Sequence, residues 1–186
     1  LESQFVDHVV LSLGYKYEMV LEYLKGRAFT FKVSWVIEKE TLGTGGAIKF
    51  ALGKTKSKHV FILNGDTHFP IDLRKMASIH TPDTTLTIAT KRLDNIDRYG
   101  LVQVNEANRI VSFEEKKAVA SGLINGGIYI LNTAMAQLET YSKVFSFEQD
   151  FMQQLVNNHI FKSYESDVNF IDIGIPADYE RAHHIL

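Results

Sequence analysis

Apolar residues fall along this chain in short blocks whose spacing changes midway. Residues 6–13 make an apolar run closed by Gly14, and 15–25 carry Met19, Val20, Tyr23 and Leu24 at helical intervals, which predicts a strand followed by a helix. A second strand is expected over 31–37, a short helix over 46–52, and a third strand over 59–63, whose unbroken apolar character suits a sheet covered on both faces. This β-α-β-α-β order argues for a mostly parallel sheet flanked by helices, with right-handed crossovers. Asp72 is placed to cap a helix running to about residue 80, and 84–90 returns as a strand.

The second half reads differently. "YGLVQVNEANRIVSFEEK" sets two alternating runs around Glu106-Ala107-Asn108, the pattern of a hairpin with one buried face. "GLINGGIYIL" is a further strand, 147–157 a helix, 160–164 and 169–173 strands, and 176–186 a closing helix with Pro176 near its first turn. No linker, repeat or low-complexity tract interrupts the chain, so one α/β domain over 1–186 with a β-rich second lobe is expected. Trp35, Phe31 and Tyr17 are expected to cover the sheet or join the core.

Composition narrows the options. With 186 residues, the chain can bury about 70% of its unfolded surface. A hydrophobic content of 45% with 23% charged residues is globular, and no apolar run reaches the roughly 18 residues of a membrane span. A net charge of -2 gives no basic footprint for nucleic acid, so no nucleic-acid or membrane partner is expected. The absence of cysteine excludes disulfides and thiolate metal sites and agrees with a cytoplasmic location. Zinc is disfavoured as well, because His183 and His184 are adjacent on a helix and point in different directions. A homo-oligomer is left open. "LESQFVDHVVLSLGY" starts without Met and without a signal-peptide pattern, as though entered in mid-element, so an upstream segment is expected.

Candidate chemistry begins at "VFILNGDTHFP", where Asp66 arrives as a buried strand stops. In open α/β sheets ligands bind outside the carboxyl ends of the strands. A short acid after glycine also makes turns, and from this stretch alone the two readings are even. "NFIDIGIP" repeats the design, with Asp172 ending a short strand before Gly174. Two strand-end carboxylates can converge on one hard divalent cation, and Mg²⁺ takes one or two protein carboxylates plus water and substrate phosphates. In "EKETLGTGGAIKF", Gly43, Gly45 and Gly46 precede a helix expected to start near Ala47, so bare amides and a helix N-terminus could approach a nucleotide. The alternative is a tight strand-to-helix turn. The spacing is neither a Walker A loop nor GxGxxG. "SFEEKK" at 112–117 is either a solvated turn or, if a bulge turns Glu115 and Lys116 to one side, a sugar acceptor beside a phosphate-holding ammonium.

Together these segments resemble the sugar-1-phosphate nucleotidyltransferases. "LGTGGAI" is similar to that family's nucleobase loop, "LNGDT" to its metal-binding strand end, and "RYGLVQV" to its sugar-contacting turn. "FEEK" is similar to its Glu-Lys pair, "INGGIYIL" to its sugar-pocket strand, and "FIDIGIPADYERA" to its second metal aspartate. The resemblance implies a Rossmann-like central sheet, a nucleotide-binding half at 1–92 and a sugar-binding half at 93–186. It implies catalytic Asp66, Lys116 and Asp172, with Mg²⁺ on the two aspartates. Nucleotide contacts would come from Glu38, Leu42, Gly43, Thr44, Gly45, Gly46, Asn64 and Gly65, and sugar contacts from Tyr99, Gly100, Glu115, Lys116, Asn125 and Gly126. Within the family the chain most resembles the branch that transfers GMP from GTP to a heptose 1-phosphate for bacterial surface polysaccharide. Glu38 gives physical support, since a carboxylate accepts from both N1–H and the 2-amino group of guanine, although an exposed acid in "EKE" is as good an account of it. Mannose-, glucose- and muramate-1-phosphate enzymes share most of the motifs. Two departures stand out. The family's GGxGTRL start and following Pro-Lys are absent, which implies roughly 30 or more residues upstream and poor activity without them. Lys117 also replaces the usual proline after Glu-Lys. A metal-dependent glycosyltransferase is disfavoured because His68 stands where a second acid is usual. A nucleotide-sensing or assembly module is the non-enzyme alternative.

Overall fold

The computed structural model describes residues 5–96, 99–114 and 119–185. Two compact units divide the chain: Leu1–Lys58 with Gln137–Gln154, and His59–Ala136 with Leu155–Leu186.

In the first unit, β1 (His8–Leu13) and β2 (Lys32–Ile37) pair in parallel, with His8 opposite Lys32 and Leu13 opposite Ile37. Helix α1 (Tyr17–Leu24) makes the crossover between them, as the β-α-β reading expects, but none of its residues is buried. Trp35, expected to cover the sheet or join the core, is 44% exposed, because alternation along β2 gives the buried side to its neighbour Val36. Helix α2 (Gly43–Leu52) starts sooner than expected and takes in all three glycines. Their poor helix propensity is overridden by packing. A Cβ on Gly45 would lie 2.2 Å from the Phe145 ring, and one on Gly46 2.4 Å from the Lys143 carbonyl oxygen. The segment that presses on α2 is built from the stacked pair Tyr141–Phe145 and a π-helical turn, Phe147–Met152. Ser146 caps that turn by accepting from the Gln149 N–H at 3.1 Å. The single helix expected over 147–157 is thus a π turn followed by a short α-helical stretch ending at Leu155, with Phe147 and Phe151 buried and stacked.

The second unit holds β3 (His59–Leu63), β4 (Thr67–His68), helix α3 (Leu73–Ile79), β5 (Leu86–Ile96), β6 (Leu101–Val104), β7 (Ile110–Glu114), β8 (Val119–Asn132), β9 (Phe161–Glu165), β10 (Ile171–Asp172) and the closing helix Pro176–Ile185. Asp72 caps α3 as expected, accepting from the N–H groups of Arg74 and Lys75 at 2.9 and 3.1 Å. The main sheet has the order β7-β6-β8-β5-β9, with β3 also on β8. The α/β class and a sheet with helices packed on it hold, but strand direction is mixed: β8 runs antiparallel to β3, β5 and β6, and β5–β9 is parallel. Apolar periodicity specifies which face is buried and carries no information on direction. Leu86, Ile88, Ile110, Ile124, Leu131 and Phe161 form the fully buried centre of this sheet. The hairpin β6–β7 closes through Asn105 and Asn108, the latter at a left-handed φ of 56°.

Register places one irregularity where it matters. Ile88 pairs with Tyr129 and Thr90 with Asn125, so β8 bulges away from β5 over Gly126–Ile128. Gly127 takes a φ of 72° there, a left-handed conformation suited to glycine.

Candidate functional site

Asp66 and Asp172 lie far apart in sequence and side by side in the second unit. β4 pairs with β10 in antiparallel fashion, Thr67 opposite Asp172, and the Ile173 N–H donates to the Asp66 carbonyl oxygen at 2.8 Å. Asp172 Oδ1 and Asp66 Oδ2 stand 2.9 and 3.6 Å from the point where a Cβ on Gly174 would sit, so both carboxylates border one small space that only glycine leaves open. Asp172 is half-buried and its Oδ1 accepts from the Gly174 N–H at 2.8 Å, which orients the carboxylate, while Asp66 is exposed. Among the described residues no group of three or more His, Cys, Asp or Glu side chains forms a metal cluster. A two-carboxylate pair with hard oxygen donors nevertheless suits a divalent cation such as Mg²⁺, which leaves most of its coordination to water and phosphate.

Around this pair the second unit assembles an aromatic wall. Buried Phe69 meets Phe170 edge to face at 5.4 Å, and Phe170 meets Tyr99 at 5.9 Å. A Cβ on Gly126 would come within 2.6 Å of the Phe69 ring and 2.9 Å of the Ala89 carbonyl oxygen. Tyr99 and Gly126 are therefore joined through Phe69 and Phe170, neither of which the motif reading names. Their signal was present in the sequence, since an aromatic residue sits close to each aspartate in "DTHF" and "FID". Asn125 is held at both ends, its Nδ2 donating to the Tyr129 hydroxyl at 2.8 Å and its Oδ1 accepting from the Gly127 N–H at 3.0 Å. Gly100 lies close under β7, 3.0 Å from the Glu114 carbonyl oxygen to a Cβ built there. Asn64 stands against the bulge, donating its N–H to the Gly127 carbonyl oxygen at 2.9 Å, and Gly65 is exposed with open space where a side chain would start. Glu115 and Lys116 lie outside the described residues.

The residues expected to contact the nucleotide in the first unit gather at the carboxyl ends of β1 and β2. Glu38 extends the parallel ladder, its N–H donating to the Leu13 carbonyl oxygen at 2.8 Å, and its Oε1 accepts from the Ser12 hydroxyl at 2.8 Å. Leu42 is buried, and its carbonyl oxygen accepts from the Phe145 N–H at 3.1 Å. Gly43 has a φ of 72°, and a Cβ there would strike the Phe145 carbonyl oxygen at 2.5 Å. The expected cradle of bare amides needs correction at two positions. The N–H groups of Gly45 and Gly46 both point to the Phe145 carbonyl oxygen, at 3.0 and 3.4 Å. Those glycines serve a close helix-to-backbone approach, the turn-making alternative of the sequence reading. Thr44 is equally committed: its hydroxyl accepts from the Phe147 N–H at 2.9 Å and donates to Glu148 Oε2 at 2.6 Å.

The whole chain, residues 1–186, matches the sequence profile of the Nucleotidyl transferase family. It is 45% identical to D-glycero-alpha-D-manno-heptose 1-phosphate guanylyltransferase of Aneurinibacillus thermoaerophilus, over 98% of this chain and 79% of that one. Identity to the Campylobacter jejuni protein of the same name is 41%, over 96% of this chain and 79% of that one. Among solved structures, HddC from Yersinia pseudotuberculosis complexed with GMP-PN matches with a TM-score of 0.87 at 35% identity, covering 99% of this chain and 80% of that chain.

Proposed function

This chain belongs to the nucleotidyl transferase family of enzymes, and on that premise we propose that it transfers GMP from GTP to D-glycero-α-D-manno-heptose 1-phosphate, forming GDP-heptose and pyrophosphate. The observation that carries this reading is the identity of 45% and 41% to two guanylyltransferases of that specificity, extending over nearly the whole chain. The GMP-PN complex of HddC supports the guanine nucleotide. Glu38 supports it chemically, as a carboxylate held at the sheet end that can accept from both guanine donors.

In this reaction a phosphate oxygen of the sugar 1-phosphate forms a bond to the α-phosphorus of GTP. The bond from that phosphorus to the oxygen bridging to the β-phosphorus breaks, and pyrophosphate leaves with the electron pair. No covalent enzyme intermediate is required, so alignment and charge neutralisation supply the catalysis. Asp66 and Asp172 would hold the Mg²⁺, whose chemistry when bound is to neutralise phosphate charge. Lys116 screens the incoming sugar phosphate. Leu42, Gly43, Thr44, Gly45 and Gly46 shape the wall for base and ribose, and Asn64 with Gly65 borders the phosphates. Tyr99, Gly100, Glu115, Asn125 and Gly126 receive the sugar. On this reading 1–92 serves the nucleotide, 93–186 serves the sugar, the reaction is cytoplasmic, and the product feeds bacterial surface polysaccharide.

The test follows pyrophosphate release by the full chain with four nucleoside triphosphates crossed against heptose, mannose, glucose and muramate 1-phosphates. GTP with the heptose phosphate is expected to exceed every other pair in kcat/KM by roughly tenfold or more. A preference for another sugar phosphate or another base would overturn the assignment.

A further inference from the structure

We propose that Ser12 is a positioning residue for nucleobase selection: its hydroxyl fixes the Glu38 carboxylate in the orientation that reads guanine. This rests on the guanylyl-transfer reading above. Ser12 is the one hydroxyl residue in "HVVLSL" and sits in β1 opposite Val36, two residues before Glu38. Residues two apart on a strand share a face, so Ser12 and Glu38 project to the same side of the β1–β2 pair. The Ser12 hydroxyl donates to Glu38 Oε1 at 2.8 Å, and the Glu38 main chain is pinned to Leu13 at 2.8 Å. The acid is thus held at both backbone and side chain.

That restraint has a chemical use. A glutamate at a strand end has three rotatable side-chain bonds, and ordering them when ligand arrives weakens binding. With Oε1 already bonded to Ser12, the carboxylate plane is set beforehand. Oε1 keeps a second lone pair, and Oε2, without a hydrogen-bond partner among the described residues, can take the other guanine donor, since an ionised carboxylate accepts at about four lone-pair sites. The N1–H and 2-amino group of guanine lie side by side and match two oxygens presented in one plane. A freely turning acid would meet them less often and discriminate less between guanine and a base lacking the amino group.

Valine and threonine have the same branched shape, so Ser12→Val and Ser12→Thr differ from each other in the hydroxyl alone. The experiment measures kcat/KM of the full chain for GTP and for inosine triphosphate, which lacks only the 2-amino group, in the unaltered protein, Ser12→Val, Ser12→Thr and Glu38→Ala. The expected result is that Ser12→Val lowers the GTP-to-ITP ratio by about tenfold, the lower end of the scale of one lost hydrogen bond to a charged group. Ser12→Thr keeps the ratio, and Glu38→Ala brings it close to one. Equal ratios for Ser12→Val and Ser12→Thr, with a collapsed ratio in Glu38→Ala, would overturn the role of Ser12 and leave Glu38 as the base reader. An unchanged ratio in Glu38→Ala would remove both the base reader and the role built on it.

Discussion

Asp66 and Asp172 show how much a single residue can disclose before any fold is known. Each was legible as a strand-end acid before a glycine-containing turn, and the β4–β10 ladder brings their carboxylates to one space beside Gly174. Asn substitution keeps an acceptor for the Gly174 N–H but removes the charge that would hold a metal. Asp66→Asn and Asp172→Asn are therefore each expected to lower kcat by about a hundredfold or more while leaving the urea midpoint nearly unchanged. Pyrophosphate release and denaturant unfolding measured on the same preparations check this. Phe170 is the residue whose partners only the structure discloses. Its edge contacts with Phe69 and Tyr99 are each worth about 0.5–1.5 kcal/mol. Phe170→Ala is accordingly expected to raise the KM for sugar 1-phosphate about three- to tenfold, with a smaller change in the KM for GTP. Equal rises in both constants would show that the aromatic wall does not serve the sugar.

At the scale of the element, α2 is where propensity and packing disagree. A helix beginning Gly-Thr-Gly-Gly invites substitution, since propensity alone gives alanine an advantage of about 1 kcal/mol over glycine. Gly46 faces the Lys143 carbonyl oxygen at 2.4 Å from a would-be Cβ, and that obstacle is backbone, which cannot turn aside as a long side chain can. Overpacking of this kind costs about 1–3 kcal/mol, so Gly46→Ala should destabilise despite its better helix propensity. The urea midpoint gives the sign directly: an unchanged or higher midpoint would mean that segment 143–147 moves aside at little cost. The three glycines were visible in the sequence, but their partner was not, because the Phe145 carbonyl oxygen that binds the Gly45 and Gly46 amides lies about a hundred positions away. The π turn was hidden for a related reason. Apolar spacing in "SFEQDFMQQL" fits a helix, and the extra backbone residue per turn is set by burying Phe147 and Phe151 together.

For the whole molecule, stability against acid depends on a histidine away from the aspartate pair. His80 is half-buried, with Nδ1 sharing a hydrogen bond with the Thr87 hydroxyl at 2.8 Å and Nε2 without a partner among the described residues. Burial foremost, then the His59 ring against it and the Lys162 ammonium, push its pKa down from 6.5 to about 4. Lys162 is anchored on Ile79 and Thr81, and Asp83 is bonded to Thr81 from the far side. The unfolded chain therefore binds a proton at this residue more readily than the folded one. Its contribution to stability is complete above pH 6.5 and is lost progressively as pH falls towards 4. In His80→Gln, which retains a neutral partner for Thr87, the urea midpoint should fall less steeply over that interval than in the unaltered protein. By itself the sequence determined the α/β class, the β-α-β opening, the Asp72 cap and the placement of both aspartates at strand ends, because each depends on residues close together in the chain. Only the tertiary structure decided strand direction around β8, the aromatic wall behind Tyr99, the meeting of Asp66 with Asp172, and the interleaving by which Gln137–Gln154 joins Leu1–Lys58. These are pairings between distant segments, and core packing selects them among the many registers that one hydrophobic pattern allows.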